Sequence, residues 1–115
     1  VTVGYVEAFR AVESTFREAV VLANGKEINQ SGTYLFFEGS VAKNPIEDEV
    51  SFTLVVAANT FVGENGAMSE VDKYRKRVLE TPFDIKFKRC RGVSFENGSL
   101  YLVAIELAIT INVKD

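Results

Sequence analysis

The chain has 115 residues, of which 47% are hydrophobic and 25% charged, and carries a net charge of −3. That length suits one domain, residues 1–115, with one core, and the balance excludes wholesale disorder and a fibrous repeat. Histidine is absent and cysteine occurs once, so the commonest acid-base group near neutral pH is missing, no internal disulfide can form, and a non-enzymatic role is expected.

From Tyr5 to about Leu22, the residues Val6, Phe9, Val12, Phe16 and Val20 recur every three or four positions, which predicts one face of an amphipathic helix. Glu13 and Arg17 stand i,i+4 in the favourable order, and Asn24-Gly25 supplies a left-handed stop. Tyr34 to Gly39, entered from Ser31-Gly32, predicts a short strand that continues weakly to Val41. Lys43 to Glu49 combines a turn signal with an acidic run, and an exposed hairpin loop is expected there. Val50 to Phe61 is almost continuously apolar and predicts a central strand covered on both faces.

After the break at Gly63-Glu-Asn-Gly66, the residues Ala67, Val71, Tyr74, Val78 and Leu79 trace a second helical face, with Ser69 and Asp72 placed as a capping box and Pro82 as the stop. Phe83, Ile85 and Phe87 alternate with Asp84, Lys86 and Lys88 as in a half-buried strand, and Asn97-Gly98 is a hairpin signal. From Ser99 to about Val113 the odd positions from Tyr101 onward are apolar without exception. That period of two predicts a long strand with Val103, Ile105, Leu107 and Ile109 on one buried face beside Phe52, Leu54 and Val56. The order α-β-β-α-β-β predicts an α+β two-layer sandwich, a mostly antiparallel sheet with two helices packed on one face.

The longest uncharged apolar run, Leu54 to Val62, is broken by Asn59 and Thr60 and falls well short of the ~20 residues of a membrane span, so no membrane partner is expected. Val1-Thr2-Val3-Gly4 opens the chain without the charged start and apolar run of a signal peptide.

Motifs that carry chemistry are scarce. Gly63 to Gly66 precedes a helix, as an anion-binding nest would, but lacks a phosphate-loop lysine and reads as a plain connection. Glu47, Asp48 and Glu49 are adjacent, so their carboxylates cannot all turn to one cation without backbone help; no metal and no cofactor is expected. Cys90 sits between Arg89 and Arg91, and strand alternation would point it away from both, as a half-buried structural cysteine. Ser94, Ser99 and Tyr101 have no base near them in sequence.

Eight of the thirteen basic residues, Lys73, Arg75, Lys76, Arg77, Lys86, Lys88, Arg89 and Arg91, crowd into one stretch. They form either the solvated face of a helix and a strand, or a surface for nucleic acid or an acidic protein neighbour. Lys73 and Arg77 share one side of the helix while Lys86 and Lys88 lie opposite Phe87, so spacing argues against one continuous basic strip.

The layout resembles the small tail-terminator, or tail-completion, proteins of long-tailed phages and prophages, in particular the Mu-like prophage minor tail protein family. The segments that carry the likeness are Tyr34-Leu-Phe-Phe-Glu-Gly39, Val50-Ser-Phe-Thr-Leu-Val-Val-Ala-Ala-Asn59, the stretch from Gly66-Ala-Met to Leu79, and the end from Phe87 to Val113. Relative to that pattern the chain is short at the front and lacks a long loop after the first helix. The resemblance implies a non-enzymatic ring, typically a homo-hexamer, assembled in the host cytoplasm and placed in the virion tail. There it would cap the tail tube protein, end its polymerisation and meet a head-completion protein. On this reading the basic segment Lys73 to Arg91 meets the acidic segment Glu47 to Glu49 of a neighbouring subunit, or lines a lumen through which DNA passes without sequence preference. A reading of a different class is a small-ligand-binding, ferredoxin-like α+β domain with an aromatic pocket near Tyr34, Phe36 and Tyr101.

Overall fold

Unbroken alternation makes the last strand the axis of the fold. In the computed structural model, which describes residues 2–23, 28–93 and 100–113, the elements are β1 (Thr2–Val3), α1 (Tyr5–Thr15), β2 (Val20–Val21), β3 (Gly32–Asn44), β4 (Glu47–Ala58), α2 (Ala67–Glu80), β5 (Ile85–Val93) and β6 (Tyr101–Asn112). One edge of β6 pairs antiparallel with β4 along its whole length. The other edge pairs antiparallel with β5 and then, at Ile111 and Asn112, parallel with β1. Beyond β4 come β3, antiparallel, and β2, parallel at Tyr34 and Leu35.

The expected shared face holds, and the register is Val56, Leu54, Phe52 and Val50 opposite Val103, Ile105, Leu107 and Ile109. Ala8, Ala11, Val12 and Phe16 from the first helical segment pack on this face with Tyr74 and Val78 of α2, in one buried cluster. Both helices therefore cover the same side of a mostly antiparallel sheet, and the protein is an α+β two-layer sandwich. The opposite side is apolar at one end only, where Tyr34, Phe36, Val55, Ala57, Leu102 and Ala104 cluster with Ile28. This second cluster explains the continuous apolar character of β4, whose outer end is covered on both faces.

Several boundaries differ from the sequence expectation. Apolar spacing continues to Val20, yet α1 ends at Thr15, because the hydroxyls of Ser14 and Thr15 both donate to the carbonyl of Ala11, at 3.1 and 2.8 Å. Hydroxyl back-bonding of this kind weakens a helix, and the β-branched Val20 and Val21 pair with β3 instead. The proposed stop at Asn24-Gly25 lies outside the described residues, as does the hairpin signal at Asn97-Gly98. Strand β3 is longer than predicted, thirteen residues, and absorbs Gly39 as part of a bulge. Gly39 has φ +131°, a conformation side chains rarely adopt, and the pairing skips Glu38 between Phe37 and Gly39.

The predicted acidic loop is likewise part of the sheet. Only Pro45 and Ile46 turn, and Glu47, Asp48 and Glu49 open β4, opposite Asn112, Ile111 and Thr110 of β6. Pairing with a long neighbouring strand has overridden the low strand propensity of the carboxylates.

The capping box does not form. Gly66 is the N-cap of α2 without a side-chain cap bond, and backbone carbonyls satisfy the leading donors: Gly66 to Gly63 at 2.8 Å, Ala67 to Thr60 and Met68 to Phe61 at 3.0 Å each. These bonds engage three of the donors that an anion nest would have to present. A Cβ at Gly66 would meet the Gly63 carbonyl oxygen at 2.7 Å and Thr60 Oγ1 at 2.8 Å. Gly66→Ala is therefore expected to cost about 1 to 3 kcal/mol through overpacking, read as a lower urea midpoint; an unchanged midpoint would show that this connection yields freely.

Candidate functional site

Strand edges are the first candidate, because an unpaired edge presents a row of backbone donors and acceptors. Strand β2 covers the outer edge of β3 only at Tyr34 and Leu35. From Phe36 to Asn44, and along the nine residues of β5, no strand among the described residues pairs with the outer edge. These edges lie on opposite sides of the sheet and run in opposite directions, because three antiparallel pairings separate β3 from β5.

The basic segment is divided by the sheet. On α2, Lys73 bonds Glu70 at 2.8 Å and approaches Glu18 at 3.6 Å. Arg77 grips the same Glu18 with both terminal nitrogens, at 2.5 and 2.8 Å, and donates to the Thr15 carbonyl at 3.3 Å. Lys73 and Arg77 thus share the side of α2 that faces the chain following α1, as their four-residue spacing predicts. Arg75 turns the other way and lies over the Phe87 ring, 4.6 Å from its centroid. Lys76 is exposed.

On β5 the pairing skips Lys88, between Phe87 and Arg89. This bulge reverses the alternation, so Arg89 and Arg91 join Lys86 on the face away from the helices, where both bond Glu106, at 2.8 and 3.0 Å. Lys88 reaches Glu49 at 3.8 Å. The structure thus brings four basic residues together on the open sheet face, which sequence spacing did not suggest, and sets them among Glu38, Glu49 and Glu106 rather than in a purely basic strip.

The acidic segment is split by the same alternation. Asp48 accepts the Tyr5 hydroxyl on the helix side, Glu47 accepts the Asn44 side-chain amide at 2.8 Å, and Glu49 faces Lys88. The three carboxylates do not converge, and no group of three potential metal ligands exists among the described residues. Cys90 pairs with Ile105, on the other face from the flanking arginines, and is exposed rather than half-buried. Desolvation raises its thiol pKa, the reverse of an activated nucleophile. Tyr34 and Phe36 belong to the cluster on the open face, whereas Tyr101 stands on the helix-side register and packs against Phe61 at 5.7 Å. These three rings therefore do not line one pocket.

Two concavities flank the helices. A polar inlet of about 510 Å³ lies where α2 meets the start of β3, walled by Lys73, Glu70, Glu18 and the 2.8 Å hydroxyl pair of Thr33 and Tyr74. A more apolar groove of about 480 Å³ runs between α1 and β3, lined by Tyr5, Val6, Phe9, Phe37 and Phe52, with Arg10 and Glu13 at its rim. Val6, predicted for the core, is 66% exposed there, and Leu79 of α2, also predicted for the buried face, is 73% exposed. The sequence signal for this groove was present in an apolar stripe on α1 wider than its own sheet covers. No protein-family model and no curated protein matches the chain.

The Arg77 guanidinium, by hydrogen bonding and charge, holds the Glu18 carboxyl at about 2, below its ordinary 4.5. A depressed carboxylate contributes stability above pH 4.5 that is lost as pH falls toward 2. Because the pair is partly solvated, the effect is modest. Glu18→Gln is expected to flatten the acid limb of a stability-against-pH curve between pH 4.5 and 2, while an unchanged acid limb would show that the pair contributes nothing.

Proposed function

We propose that this chain is a structural assembly protein of a phage or phage-derived tail, a ring that caps and terminates the tail tube and joins it to the head connector. The observation that supports this reading most is the pair of open edges. They are of equal length, lie on opposite sides of the sheet, and run in opposite directions. In a ring whose axis follows the strands, β5 of one subunit would meet β3 of the next antiparallel. Such a contact is heterologous, and a rotation that closes it gives a fixed copy number rather than an endless filament, which is the geometry an end cap needs.

The charged groups fit a structural role better than a nucleic-acid module. Arg89, Arg91 and Lys88 are each matched by a carboxylate, so DNA in a lumen would meet a mixed surface and bind weakly, through phosphates and in a salt-dependent way. The small-ligand reading has less support, since its three aromatic residues are divided between two faces of the sheet.

Native mass spectrometry tests the proposal. A closed ring of about six subunits that ends elongation when added to growing tail tubes is the expected result. Raising salt from about 0.1 M to 1 M, which shortens the Debye length from about 10 to 3 Å, should loosen any charged part of the contact. A monomer at every concentration, or tight sequence-selective binding to a short duplex, would overturn it.

A further inference from the structure

The apolar groove on one side of the molecule has a counterpart on the other. Its walls are Tyr5, Val6 and Phe9 of α1 and the ring of Phe37, which is 57% exposed. Nothing among the described residues fills it. On α2, Arg75 and Leu79 are one turn apart and share the side turned away from Glu18, above β5. Leu79 at 73% and Phe83 at 41% exposure, the latter just ahead of β5, make an apolar projection at that edge. Isolated exposed leucines need no explanation, but an unfilled apolar groove matched by an apolar projection at the opposite sheet edge does.

We infer that the groove between α1 and β3 receives Leu79 and Phe83 of a second copy of this chain. This inference rests on the ring reading and deepens it, because antiparallel joining of β5 to β3 would place one copy's α2 beside the next copy's α1 on the helix side of the continued sheet. Charge agrees with that placement. Arg10 and Glu13 stand at the groove rim, while Lys76 and Glu80 flank Leu79 and supply the opposite partner to each. The two apolar sites differ from one another, so the contact is head to tail.

The test uses the full chain carrying Cys90→Ser, with Val6→Cys and Leu79→Cys singly and together, treated with a short bis-maleimide and run on a denaturing gel. The double variant should give a ladder that stops at the ring size, and a mixture of the two single variants should give only a crosslinked dimer. Leu79→Asp should yield a folded monomer by circular dichroism and native mass spectrometry, since the side chain is exposed. A native ring without the ladder would overturn this contact and leave the ring reading standing. A single variant that links only to itself would overturn the head-to-tail arrangement, and a monomeric parent would overturn both.

Discussion

Leu107→Ala is expected to lower the unfolding free energy by about 2 to 5 kcal/mol. Leu107 is 1% exposed, faces Phe52 on β4 and Phe87 on β5, and belongs to the cluster that both helical segments cover. Truncation removes the transfer energy of the lost carbons and leaves a cavity that three neighbouring strands, tied by backbone bonds, cannot collapse to fill. Urea denaturation checks the loss. A shift under about 0.5 kcal/mol, the range of ordinary surface substitutions, would contradict the placement of β6 at the centre of the sheet.

Phe16→Ala is expected to cost about 3 to 5 kcal/mol. Phe16 follows the last turn of α1 and is 1% exposed, with its ring edge-on to Tyr74 of α2 at 5.6 Å between centroids. It joins the two helical segments to each other as well as to the sheet, so its loss removes ring burial and an aromatic pair together. Val6→Ala and Leu79→Ala are the matched controls: in a dilute, monomeric sample both should change stability by less than about 0.5 kcal/mol. If Phe16→Ala fell within that range as well, the two helical segments would not be sharing one core.

The period-two run of β6 was legible without a structure because one face of that strand is buried throughout, and register follows wherever burial is one-sided. Its partners on β4 were legible for the same reason. The end of α1 was not, since Val20 continues the helical spacing: the competing bonds of Ser14 and Thr15 to the Ala11 carbonyl are local but leave no mark on apolar spacing, and the pairing of Val20 with Tyr34 depends on a strand brought from elsewhere. The acidic run misled in a related way. Carboxylates favour turns locally, but Glu47 to Glu49 are held in β4 by pairing on both of its edges.

The candidate site divides along the same line. Sequence alone set the α+β class, the helix side of the central strands, and the four-residue spacing that sends Lys73 and Arg77 to one carboxylate. These are short-range periodicities, fixed by backbone geometry within a few residues. Tertiary structure alone decided that a bulge at Lys88 gathers Lys86, Arg89 and Arg91 on the open face, that Glu106 and Glu49 answer them, and that, among the described residues, β5 and β3 from Phe36 onward have no outer strand partner. It also decided that Val6 and Leu79 stand outside the core. Which apolar residue is covered depends on how far the sheet extends beneath each helix, a distance set by strand pairing across the whole chain and by no local pattern.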